Sequence, residues 1–177
     1  MDAVSVSIGL SVFQGDLDGN AKNDVVYYLN SGNLDLRLGV ERYLSSRVVL
    51  GSGLSYHRLS SQKGAIEFIN NAVTWDITSE YVLVSRWGEF LRVFSGVGLV
   101  WHNPKIVEGE DLVIRGYNTR LNQGQVALAI PMGFMIQKRL RVTSYMVLSD
   151  FIDGASAPGR ANRDFIAQVV VGFRFEI

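Results

Sequence analysis

The segment Phe165-Ile166-Ala167-Gln168-Val169-Val170-Val171-Gly172-Phe173-Arg174-Phe175-Glu176-Ile177 decides the fold. Phe165, Ala167, Val169, Val171, Phe173, Phe175 and Ile177 share one face. Ile166, Gln168, Val170, Gly172, Arg174 and Glu176 share the other. Successive side chains on a strand point to opposite faces, so this period of two describes one long two-faced strand. A tilted strand of roughly ten residues with an outward apolar face and aromatics at its ends is what crosses a bilayer.

Working back from this strand, the same alternation recurs. Val4, Val6, Ile8, Leu10 and Val12 alternate with Ser5, Ser7, Gly9 and Ser11 over 4–13. Leu34, Leu36, Leu38 and Val40 alternate with Asp35, Arg37, Gly39 and Glu41. Further strands are expected at about 47–57, 73–83, 91–102, 125–137 and 140–149. In the sixth, both faces are apolar or small, and Pro131 predicts a bulge because proline cannot donate to a ladder. Loops and turns break the pattern at Gly15–Asn20, near 59–64, at Ser45-Ser46, Trp87-Gly88 and Lys138-Arg139, across a long, charged loop at about Asn103–Asn122, and across Asp150–Arg163. The short apolar patch Val25–Leu29 has no assigned strand and is expected to extend a hairpin above the membrane. The expected fold is all-β, an eight-stranded antiparallel up-and-down transmembrane β-barrel forming one domain over 1–177. Its connections alternate long and short, which puts both termini on the periplasmic side.

Composition agrees. The chain has 177 residues, zero net charge, no cysteine, three prolines and eighteen glycines. Disulfides and thiolate metal sites are excluded, and charge gives no reason to expect nucleic acid. Mean hydropathy is slightly positive, yet no run of about eighteen apolar residues occurs. Met1-Asp2-Ala3 leads straight into the alternation, as expected of a mature form whose export signal has been removed.

A lipocalin-like soluble barrel would alternate as well, with the apolar face inward. Charge type separates the two. The four lysines, Lys22, Lys63, Lys105 and Lys138, are all expected in loops or turns, whereas water-facing strands usually carry lysine. The polar face instead holds Ser, Thr, Gly and charges of both signs: Asp35, Arg37, Glu41, Asp76, Glu80, Arg92, Arg174 and Glu176. Arginine suits paired, enclosed sites, and buried charges must be paired. These eight residues are the candidate luminal cluster, centred on Arg37, Arg92 and Arg174. An eight-stranded interior is about filled by side chains, so a polar plug is preferred to an ion path. Phe13, Tyr43, Tyr56, Trp87, Phe90, Trp101, Phe173 and Phe175 are expected to form interfacial girdles.

Chemistry is sparsely signalled. His57 and His102 are expected near the extracellular ends of strands three and five. No Ser–His–acid spacing stands out, so no catalytic residue is assigned. Glu108-Gly109-Glu110-Asp111 is acidic without EF-hand spacing, and reads as a solvated loop. No phosphate loop, cofactor site or metal site is expected.

Several pieces resemble a family of small outer-membrane barrels of Bacteroidota, the one that includes PorG of the type IX secretion system. They are Gly15-Asp16-Leu17, Asn103-Pro104-Lys105, Ala129-Ile130-Pro131-Met132-Gly133 and Ser149-Asp150-Phe151-Ile152-Asp153. More broadly the chain resembles OmpA- or OmpX-like barrels. The segment before Gly124-Gln125 departs from the family's form. The resemblance implies a non-enzymatic barrel in the outer membrane of a Gram-negative bacterium. It would be an accessory or anchor subunit of an envelope machine, with outer-membrane lipid and other envelope proteins as partners and no small-molecule substrate. The rival classes are a lipid-modifying enzyme and a narrow channel.

Overall fold

The computed structural model describes residues 2–14, 33–63, 66–84, 91–108, 125–148 and 165–177. They form eight strands: β1 (Asp2–Gln14), β2 (Leu34–Tyr43), β3 (Val48–Lys63), β4 (Ile66–Val84), β5 (Leu91–Glu108), β6 (Gln125–Ile136), β7 (Leu140–Val147) and β8 (Phe165–Glu176). Each pairs antiparallel with its sequence neighbours, and β1 pairs β8 to close the barrel. The β2–β3, β4–β5 and β6–β7 pairs bring the end of one strand and the start of the next to the end of the barrel that holds Asp2 and Ile177. The opposite end is here called the loop end. Gly15–Asn20, Val25–Leu29, the Trp87-Gly88 turn, Phe90, Lys22, residues 109–111 and Asp150–Arg163 lie outside the described residues.

The alternation fixes which face each strand turns inward. On β2, Asp35, Arg37, Gly39 and Glu41 are buried and Leu34, Leu36, Leu38 and Val40 exposed. On β8, Ile166, Gln168, Val170 and Gly172 point in, and Val169, Val171, Phe173 and Phe175 point out. The ambiguous β6 turns Ala127, Ala129, Pro131 and Met135 inward and Val126, Leu128, Met132 and Phe134 outward. The outcome is a continuous outer belt of large apolar side chains. Tyr56, Trp75 and Trp101 edge it toward the loop end, and Tyr81, Phe134, Phe173 and Phe175 toward the terminal end. The Tyr56 hydroxyl donates to Asn71 Oδ1 at 2.9 Å, an apolar ring with its polar tip satisfied at the belt's edge. Tyr43 is not part of that belt. Its hydroxyl turns to Arg92 and Arg174.

Two expectations about strand ends change, and one about Pro131. The polar stretch near 59–64 is strand: β3 continues to Lys63 and pairs with β4 down to Ile66. β5 continues through Pro104 to Glu108. Lys63 and Lys105 therefore sit in strand extensions rather than loops. Pro131 makes no bulge. The β5–β6 register is the same on both sides of it. The ladder omits the positions where Gly96 and Val97 face Pro131 and Ile130, consistent with a residue that has no N–H to give. Register shifts occur instead between β4 and β5, at Glu67/Phe68 and at Val82/Val84.

The interior is stratified. Near the loop end, Leu59, Ala72, Val100, Ala127, Ala129, Val147 and Ile166 form a buried apolar layer with the Tyr145 ring beneath. Toward the terminal end the interior is polar and charged.

Candidate functional site

Register places Arg37 opposite Ser55, and Asp76 opposite Gly53. Arg37 must therefore reach diagonally across Gly53 to find its partner. It does so with two parallel bonds, Nη1 to Asp76 Oδ2 at 2.7 Å and Nη2 to Oδ1 at 2.8 Å. A side chain at position 53 would collide with that guanidinium. Arg37 also donates to Ser55 Oγ at 3.0 Å and to the Tyr145 hydroxyl at 3.1 Å, and Tyr145 donates to Asp76 at 2.9 Å. Every member is buried. A planar fork with both carboxylate oxygens engaged is the arrangement that offsets the desolvation of such a pair.

Below it, toward the terminal end, three arginines share two glutamates. Arg92 Nη1 donates to Glu41 Oε2 at 2.8 Å and to Glu80 Oε2 at 3.1 Å. Arg141 Nη1 donates to Glu80 Oε1 at 2.8 Å while its guanidinium lies 3.7 Å from the centre of the Phe94 ring. Arg174 Nε donates to Glu41 at 3.2 Å, its Nη1 to Glu176 at 2.7 Å and its Nη2 to Tyr43 at 2.8 Å. Glu176 itself is exposed at the rim, with Lys138 at 3.5 Å.

Above the Arg37 layer lies a third group. His57 Nδ1 donates to Asp35 Oδ2 at 2.5 Å, and its Nε2 shares a hydrogen with Thr74 Oγ1 at 2.9 Å. Gln168 donates to Asp35 Oδ1 at 2.7 Å and to Ser55 Oγ at 3.3 Å. The Tyr145 ring stands edge-on to the imidazole, centroids 5.7 Å apart. Asp35 thus meets a histidine and an amide rather than an arginine.

The structure brings Asp35, Arg37, Glu41, Asp76, Glu80, Arg92 and Arg174 into the interior and leaves Glu176 at its mouth. Sequence reasoning missed His57, Arg141, Tyr145, Gln168, Thr74 and Tyr43 as members. The signal was present for most of them. Arg141 and Tyr145 share one face of β7, Gln168 lies on the Gly172 and Arg174 face of β8, and His57 lies on the Ser55 face of β3. The two histidines are not at an open rim. Both point inward and are fully buried, His102 in the apolar layer between Val100 and the barrel's loop end.

The Thr74–His57–Asp35 chain has the connectivity of a nucleophile, a base and an orienting acid. All three are 0% exposed, so a substrate would have to displace the packed interior to reach Thr74. As found, the three side chains hold one another by hydrogen bonds within the packed interior. Among the described residues, no group of three or more His, Cys, Asp or Glu is placed to hold a metal.

No family model matches this chain, and no curated protein matches it. Solved structures do. Ail, the attachment invasion locus protein of Yersinia pestis, in complex with the heparin analogue sucrose octasulfate, aligns over 98% of this chain and 97% of its own, with 11% identity and a TM-score of 0.53. Neisserial surface protein A aligns over 98% and 97%, with 9% identity and a TM-score of 0.50. At such identities the likeness is one of fold. The chain has the closed eight-stranded antiparallel fold of small outer-membrane barrels.

Proposed function

We infer that this chain resides in a bacterial outer membrane and acts through its surfaces, as a non-enzymatic accessory or anchor subunit of an envelope complex. The observation that carries this reading is the contrast between a closed interior and an extended wall. An ion crossing the interior would have to part the Arg37–Asp76 and Arg92–Glu41–Glu80 pairs. It would then meet the apolar layer around Val100 and Ile166. Meanwhile, among the described residues, β3, β4 and β5 continue past the places where β2 and β6 start. Among the described residues, β2 pairs with β3 no further than His57, and β6 with β5 no further than His102. Beyond them β3 reaches Lys63 and β5 reaches Glu108, each paired to β4 among the described residues. We assign the far ends of β3 and β5 to partner contact, since a strand edge is a template for pairing with another chain. The resemblance to the PorG-containing family favours type IX secretion or gliding machinery as the complex. A periplasmic partner of that kind would use the turns at 44–47 and 137–139.

The test is affinity isolation of the barrel from native membranes. Envelope proteins should co-purify with the wild type. They should be lost when 103–124 is shortened, or when the 44–47 and 137–139 turns are replaced. Retention of the same proteins by all these variants would contradict the reading.

The Thr74–His57–Asp35 chain favours one second reading, a lipid-modifying enzyme. Mass spectrometry of lipid A and phospholipids from cells with and without the protein decides between them. A lipid change abolished by Thr74→Val or His57→Gln supports the enzyme. An unchanged lipid profile supports the anchor, because removing a general base alone costs roughly 10²–10⁴-fold in rate.

A further inference from the structure

We propose that the terminal end of the barrel interior holds one small monovalent anion, of halide type, against Arg141. A cavity of about 20 Å³ lies there, lined on its charged side by Arg37, Glu41, Glu80, Arg141, Lys138 and Arg139, with Ser5 and Ser7 on its wall. Room for one water-sized particle takes roughly 10–15 Å³ of such volume, so the cavity admits a single small species. Arg141 is the reason to expect a charged one. Its side chain is only 7% exposed and gives one nitrogen, Nη1, to Glu80. Nε and Nη2 have no hydrogen-bond partner among the described residues. Two buried donors of a guanidinium left unmade are costly.

The charge around the cavity points the same way. Arg37 and Asp76 neutralise each other. Arg92, Arg141 and Arg174 then face two buried carboxylates, Glu41 and Glu80, with Glu176 shared between Arg174 and Lys138 at the exposed rim. The described groups near the cavity therefore carry more positive than negative charge. A water would satisfy the free donors of Arg141 and leave that excess. An anion would satisfy both. Glu41 and Glu80 also line the cavity, which opposes a divalent or bulky anion and restricts the site to a small monovalent one.

The test uses the full chain folded in detergent micelles or lipid bilayers. Thermal unfolding is followed against sodium bromide, with sodium isethionate replacing it at constant ionic strength so that screening of ion pairs is held fixed. A halide that binds only the folded state raises the midpoint progressively above its dissociation constant. The rise should be present in the wild type and in Arg47→Met, which alters an exposed turn, and absent in Arg141→Met. Diffraction from crystals grown in bromide, with anomalous scattering, reads the site without any substitution, so the result stands even if Arg141→Met fails to fold. Bromide density beside Arg141 Nε and Nη2 is the expected result. Equal midpoints in bromide and isethionate, or a cavity holding water alone in bromide-grown crystals, would overturn the proposal.

Discussion

Arg37 reaches Asp76 only because residue 53 has no side chain, and this dependence makes the pair testable from two directions. Arg37→Met strands the buried Asp76 carboxylate, and breaking one partner of a buried pair costs roughly 3–5 kcal/mol. Gly53→Ala leaves both charges in place but sets a methyl against the guanidinium, and should destabilise in the same direction. Arg47→Met, at an exposed turn, should fall within about 0.5 kcal/mol of wild type. Urea unfolding of the membrane-inserted protein, followed by circular dichroism, gives all three values. Equal effects of Arg37→Met and Arg47→Met would show that the inner face has been assigned wrongly. What the sequence carries at this scale is parity. It places Asp35, Arg37, Glu41, Asp76, Glu80 and Arg92 on the face opposite the large apolar residues. It does not carry partnership. Arg37 meets Asp76 across 39 positions and Arg174 meets Glu41 across 133. Those distances in sequence close only through the register of intervening strands. His57 read as a rim residue for the same reason, since its partners Asp35 and Thr74 lie on two other strands.

The β6–β7 hairpin stores a conflict between its turn and its residues. Gln137 and Lys138 both have positive φ, 50° and 58°, and the Arg139 amide closes the turn on the Ile136 carbonyl at 3.0 Å. Two positive φ angles are what a type I′ turn requires, and it favours Asn-Gly. A left-handed conformation costs a side-chain-bearing residue about 1–2 kcal/mol. Gln137→Asn with Lys138→Gly should therefore stabilise the barrel by about 1 kcal/mol, since the partly exposed Lys138–Glu176 contact at 3.5 Å contributes little. The same denaturant titration checks it, and an unchanged or lower midpoint would count against the turn assignment. Strand ends are where the sequence is least legible. At 59–63 and 103–108 the outward apolar alternation fades, yet the hairpins continue, because pairing with β4 rather than burial of an apolar face holds them. A polar, two-sided strand looks like a loop when only periodicity is read.

At the scale of the whole molecule, the barrel is inverted relative to a soluble one. Leu38, Leu54, Val97, Leu128, Val171 and Phe173 are exposed, while Arg92, His57 and Gln168 are fully buried. An outward substitution should then behave unlike an inward one. Leu38→Arg, in the middle of the belt, should cost roughly 2–4 kcal/mol in a bilayer, the expected cost of arginine on a lipid-facing strand at mid-depth. This architecture was readable from alternation, the lack of lysine in the alternating, belt-forming stretches and the rhythm of the turns. The extension of β3–β5 and the layering of the interior were not, because both are properties of the closed barrel. The membrane-spanning inversion is tested by folding the full chain in plain buffer against folding it in phospholipid vesicles, read by sedimentation and far-ultraviolet circular dichroism. A chain with an apolar outer belt should give a folded, protease-resistant β-barrel in vesicles and aggregate in buffer. A monodisperse, folded monomer in buffer without detergent or lipid would contradict it.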